Sequence, residues 1–174
     1  MSRTRTDRSR RTGLPQTEDL GLKTPLDPAG RSQAKTRLRL WLRLLRATRR
    51  VEGDLRERLR LHHNTTLPRF DVLAALFRAR DGLKMSDLSR MLMVSNGNVT
   101  GIVDRLVSDG LVIRVAMEGD RRAALVRLTA RGESEFAEMA TAHEAWLADI
   151  FSVLEEDEIA ALFSPLEKLG EARA

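Results

Sequence analysis

A chain of 174 residues, 42% hydrophobic and 32% charged, can bury one core with a tail, and it has no run near the roughly 18 apolar residues of a bilayer span. The absence of cysteine excludes disulfide frameworks, thiolate metal sites, cysteine nucleophiles and thiol redox sensing. The net charge of +5 is uneven: residues 133–174 carry eleven acidic and two basic side chains, so the basic excess lies before them. A polyanion-binding part joined to a part held away from the polyanion explains this, and so do ordinary solvated helix faces.

In chain order, residues 1–34 place Gly13, Pro15, Gly21, Pro25, Pro28 and Gly30 among polar residues with no apolar period, which predicts a disordered basic tail. Its Arg3, Arg5, Arg8, Arg10 and Arg11 could touch phosphates or simply solubilise the chain. No apolar segment follows these arginines and no lipidation motif is visible, so a cytoplasmic location is expected. Over 36–61, Leu38, Trp41, Leu42, Leu45, Val51, Leu55 and Leu59 repeat at helical spacing, and Leu40, Leu44 and Ala47 broaden the stripe enough for a core and a second subunit. Thr66-Leu67-Pro68 starts another helix, with Phe70, Leu73, Ala74 and Phe77 on its buried side and Gly82 as its stop.

Ser86 is expected to cap a short helix containing Leu88, Met91 and Leu92. The turn Met93-Val94-Ser95 leads to a second helix, where Val99, Ile102, Val103, Leu106 and Val107 share a face and Gly110 provides a left-handed stop. That is a helix-turn-helix. Runs at 111–115 and 124–128, around a polar turn at 118–122, predict a β-hairpin. Thr129 can cap a helix carrying Phe136, Met139, Ala140, His143, Leu147 and Ile150, and a last helix carries Ile159, Leu162, Phe163 and Leu166, with Pro165 expected to kink or end it. The fold class is mostly α with a small β-hairpin: a winged helix-turn-helix lobe over 66–129 between helical regions over 36–61 and 130–169, the first with an apolar face broad enough for dimerisation.

The stretch LSRMLMVSNGNVTGIVDRLVSDGLVIR followed by DRRAALVRLTARG resembles the MarR family of winged-helix transcriptional regulators over residues 36–169. Its tokens are Asn98-Val99-Thr100, Asp104-Arg105-Leu106, Gly110-Leu111, Asp120-x-Arg122 and Leu128-Thr129-x-x-Gly132. The resemblance implies a MarR-type domain over 35–174, a homodimer interlocked through its first and last helices, and a ligand pocket between the dimerisation and DNA-binding regions. It also makes Arg122 the wing arginine and Asp120 its orienting carboxylate. Many relatives carry a bulky or basic residue where this chain has Gly101, which bears on base preference and not on DNA binding itself.

The residues expected to contact double-stranded DNA are Ser95, Asn96, Asn98, Thr100, Gly101 and Arg105 of the second helix and Asp120, Arg121 and Arg122 of the wing. Asparagine can pair bidentately with adenine, the threonine methyl can meet that of thymine, and glycine admits close backbone approach. Arginines at a wing tip can enter a narrow minor groove. The competing readings are helix capping for Asn96 and Asn98 and a solvated turn for the arginines.

No nucleophile and base or paired carboxylates have catalytic spacing, His62, His63 and His143 do not form a metal set, and no cofactor is expected. The segment HHNTTLPRFDVLAALFRARDGL resembles the branch of the family that controls aromatic-acid catabolism and responds to aromatic carboxylates or their coenzyme A thioesters. Trp41, Phe70 and Leu73 could form an apolar wall, and Arg46, Arg69 and His62 could meet a carboxylate or phosphate. The resulting expectation is a repressor released from a pseudo-palindromic operator by such an effector. The alternative is a winged-helix protein-interaction module without sequence-specific DNA binding.

Overall fold

Proline in the first turn, apolar residues three and four apart and glycine just past a helix end set most element boundaries. The computed structural model describes residues 28–117 and 120–171, with side chains over 32–116 and 124–171. The elements are α1 (Pro28–His63), α2 (Leu67–Arg78), β1 (Leu83–Lys84), α3 (Met85–Met91), α4 (Asn96–Ser108), β2 (Val112–Met117), β3 (Asp120–Leu128), α5 (Ala130–Phe151) and α6 (Glu156–Glu171). Two compact units divide the chain, Met1–Leu42 and Arg43–Ala174.

In the first unit, α1 begins at Pro28, so residues 28–34, assigned to the tail on composition, are helical. Pro28 suits a first helical position, where its missing N–H costs nothing, and Gly30 is the weakest helix former between it and the apolar period. The tail arginines from Arg3 to Arg11 lie outside the described residues. Leu38, Leu40, Trp41 and Leu42 are exposed.

In the second unit, Leu59 of α1, Phe70, Leu73 and Leu76 of α2, Leu88 of α3, Val99, Val103 and Leu106 of α4, Val126 of β3 and Phe136 and Met139 of α5 form one buried cluster. Burial of each large side chain contributes about 1.5–3 kcal/mol. Phe77 is at the margin: its ring lies 4.9 Å from that of Phe136, yet the residue is 37% exposed.

The antiparallel sheet has three strands in the order β1-β3-β2, not the two of a bare hairpin. Leu83 pairs with Val126, and Val112 with Leu128. Two residues cannot display a period, so β1 has no sequence signature. It also corrects the start of α3: Lys84 is the N-cap, and Ser86 lies within the helix. Pro165 lies inside α6 without ending it, because losing one donor leaves the rest of the ladder intact. No residue of α6 is buried.

Gly110, at φ +73°, closes α4: its N–H donates to Val107 O at 3.0 Å and Leu111 N–H to Leu106 O at 3.0 Å, a Schellman closure with Leu106 and Leu111 both buried. Thr129 locks this end to the start of α5. Its N–H donates to Leu111 O at 3.0 Å, its hydroxyl donates to Gly110 O at 2.8 Å, and its Oγ1 accepts from Gly132 N–H at 2.9 Å. A Cβ on residue 132 would stand 2.0 Å from Leu111 O, so only glycine permits this approach.

Gly132→Ala is expected to destabilise the fold by about 1–3 kcal/mol through forced backbone movement, measured as a lower urea midpoint. His143, stacked on Phe70 at 4.5 Å, is held below its ordinary pKa of 6.5 by burial. The native state then binds fewer protons than the unfolded chain as pH falls through that value, so stability is full above it and declines below it. Replacing the imidazole in His143→Phe should flatten the fall of Tm between about pH 7.5 and 5.5.

Candidate nucleic-acid interface

In α4 the apolar side chains Val99, Val103 and Leu106 face the core, which leaves Asn96, Gly97, Asn98, Thr100, Gly101, Asp104 and Arg105 exposed. The turn before it relies on Met93 at φ +53°, a left-handed residue held between Leu92 and Val94, whose N–H donates to Ser89 O at 3.1 Å. Ser95 is the N-cap of α4, but its side chain makes no capping bond, and its carbonyl accepts from Asn98 and Val99 N–H.

Asn96 has a different task from capping. Its side-chain amide meets the hydroxyl of Ser89, a residue 8% exposed that also lies 3.0 Å from Ser86 O, and this ties the start of α4 to α3. One end of the Asn96 amide is thereby occupied. The Asn98 side chain has no hydrogen-bond partner among the described residues, so both of its ends are available. The Thr100 hydroxyl donates back to Asn96 O at 2.8 Å, leaving its methyl as the group it offers outward. A Cβ added at Gly97 or Gly101 would meet nothing within 4 Å, so nothing within the described protein requires glycine at either position.

Asp104 and Arg114 form an ion pair at 2.5 Å that joins α4 to β2. Arg114 has no signature in the sequence, because a charged residue in a short strand has no distinguishing spacing. Arg105 is exposed and forms no ion pair among the described residues. Asp120, Arg121 and Arg122 open β3 beside the hairpin turn, and their side chains lie outside the described residues.

A cavity of about 340 Å³ adjoins the other end of α4. Leu73, Leu111 and Met139 form its apolar wall, and Arg69, Arg131, Asp109, Glu135, His63, Asn64 and Thr65 supply polar groups. Arg69 Nη2 contacts Asp109 Oδ2 at 2.5 Å, and the buried Arg69 Nε has no hydrogen-bond partner among the described residues. Arg131 donates to Asp109 O at 3.3 Å and to Glu135 at 2.7 Å.

Of the six residues expected to meet a ligand, Arg69 and Leu73 line this cavity. Phe70 is buried against Phe136 and His143. His62 is exposed beside Trp146, at 5.6 Å between rings, and Arg46 is exposed on α1. Trp41 is exposed in the first unit. Asp109, Arg131 and Met139 also line it and lie outside that expected set. Asp109 carried a legible signal, since a carboxylate at a helix C-terminus opposes the helix dipole and calls for a cation.

A model of the MarR family matches residues 65–124. A structure described as a MarR family transcriptional regulator from Silicibacter pomeroyi is 33% identical, with a TM-score of 0.70 over 82% of this chain and 98% of its own. The chain belongs to the MarR family. A mutant MarR from Escherichia coli complexed with operator DNA is 27% identical, with a TM-score of 0.68 over 75% of this chain and 92% of that one. The transcriptional activatory protein BadR of Rhodopseudomonas palustris is 44% identical over 69 residues, 38% of this chain and 39% of BadR.

This MarR-family chain is therefore a winged-helix, DNA-binding transcriptional regulator and not an enzyme. Among the described residues no helix is long and apolar enough to cross a membrane, and no group of three His, Asp or Glu could hold a metal. Its helix-turn-helix is braced from within by Ser89 and Asn96. Ser89→Ala and Asn96→Ala should each lower stability, with the double variant less destabilised than their sum by about 0.5–1.5 kcal/mol, read by a urea double-mutant cycle.

Proposed function

We propose that this MarR-family regulator acts as a homodimeric repressor that leaves a pseudo-palindromic operator when a small aromatic carboxylate occupies the cavity beside α4. The observation that carries the reading is that cavity: its size falls in the range of small-molecule sites, an apolar wall faces two arginines, and one buried guanidinium nitrogen lacks a partner among the described residues. Arg69 and Leu73 are kept from the sequence-derived set, joined by Arg131, Leu111 and Met139. A free acid fits within this volume, whereas a coenzyme A thioester would leave its nucleotide outside.

On the DNA side, α4 enters the major groove. Asn98 is the residue with both amide ends to offer an adenine, Thr100 offers a methyl, Arg105 and Ser95 meet phosphate, and Gly101 admits the backbone closely. Arg122, oriented by Asp120 and accompanied by Arg121, takes the minor groove. The exposed Leu162, Phe163, Leu166 and Leu169 of α6 suit burial against a second copy, which places two half-sites about 10 base pairs apart. The similarity to BadR, named as activatory, favours activation as the second reading.

Fluorescence anisotropy with the duplex upstream of the chain's own gene, beside a scrambled duplex at two salt concentrations, tests the DNA reading. Preference for the upstream duplex is expected, with Arg122→Ala weakening it about tenfold. Gly101→Ala should raise stability by about 0.5–1 kcal/mol and still weaken binding. Equal, steeply salt-dependent affinity for both duplexes would favour the protein-interaction module instead. A promoter reporter in a deletion strain decides the sign: expression rises for a repressor and falls for an activator.

A further inference from the structure

The C-terminal end of α4 is held by two cations, and both line the cavity. Arg69 of α2 grips the Asp109 carboxylate at 2.5 Å, and Arg131 of α5 donates to the Asp109 main-chain carbonyl at 3.3 Å. Asp109 is the C-cap of α4, where its negative charge faces the negative end of the helix dipole, so the position is favourable only while a cation neutralises it. The pair is partly exposed, at 22% for Arg69 and 47% for Asp109. Such a bridge is weak enough for a competing anion to break.

Resting on the effector reading above, we propose that Asp109 is an internal competitor for the effector: an anion in the cavity takes Arg69 and Arg131 from Asp109 and so releases the end of the DNA-reading helix. The ligand carboxylate replaces the Asp109 carboxylate on Arg69, whose Nε supplies the second donor of a bidentate contact. Asp109, left without its cation at the helix C-terminus, disfavours the α4 placement that fits DNA. Coupling is reciprocal, so operator DNA weakens anion binding by the same factor as the anion weakens DNA binding.

Asp109→Asn tests this directly, because it removes the charge while keeping the size and polarity of the side chain. Isothermal titration with sodium benzoate, with sodium chloride as control, is paired with anisotropy on a duplex selected by the wild-type protein from a random library. The expected result is benzoate affinity about fivefold or more higher in Asp109→Asn, with DNA affinity that responds little to benzoate. Asp109→Glu, which keeps the carboxylate, should restore the benzoate response of DNA binding. Benzoate affinity unchanged in Asp109→Asn, or DNA release by the same factor as in the wild type, overturns the inference while leaving the effector reading intact. Failure of the wild-type protein to bind benzoate overturns both.

Discussion

The joint between the end of α4 and the start of α5 governs the lobe. Gly110 turns the chain out of the helix in the left-handed region, Leu111 returns to the core, and Thr129 binds Gly110 O and Leu111 O while presenting its Oγ1 to Gly132 N–H. The two backbones approach so closely that residue 132 has no room for a Cβ. This sets the direction in which α4 leaves the core, and therefore which of its residues face outward. The Thr-x-x-Gly and Gly-Leu tokens of the family resemblance are the two halves of this one contact.

Around the joint, polar bridges brace α4 at three points. Ser89 holds Asn96 at its start, Arg114 holds Asp104 along its length, and Arg69 with Arg131 holds Asp109 at its end. The exposed face between them is left with short or unpaired groups, namely two glycines, Asn98 and the methyl of Thr100. A helix that must meet a rigid groove benefits from this division, because side chains committed inside the protein fix its position and uncommitted ones can meet the ligand. The two glycines cost helix stability, and among the described residues nothing crowds either position.

Stability and responsiveness are distributed unevenly over the second unit. The apolar cluster spanning α1 to α5 is buried, whereas Asp109, at the end of α4 next to the cavity, is tied to α2 by a partly exposed ion pair. Interactions of that kind contribute little to folding, yet their small energy lets a ligand of modest affinity reverse them. The acidic α6 contributes no buried residue and carries exposed leucines and a phenylalanine.

The sequence by itself determined the class of fold, because the 3.6-residue period of α2, α4 and α5, the glycine after α4 and the β-branched run after it are local signals that need no partner to be read. It also determined the outward face of α4, which follows once Val99, Val103 and Leu106 are assigned inward. Tertiary structure alone decided what each polar residue on that helix does. Asn96 and Asn98 are the same residue type two positions apart, and only the packing of α3 places Ser89 against one of them. Strand β1 was invisible because its two residues are ordered by pairing with Val126 and Leu125, more than 40 positions away. The cavity was only half legible for the same reason: Arg69, Asp109 and Arg131 are distant in sequence, and an ion pair between distant residues depends on the path of the whole chain and not on any local pattern.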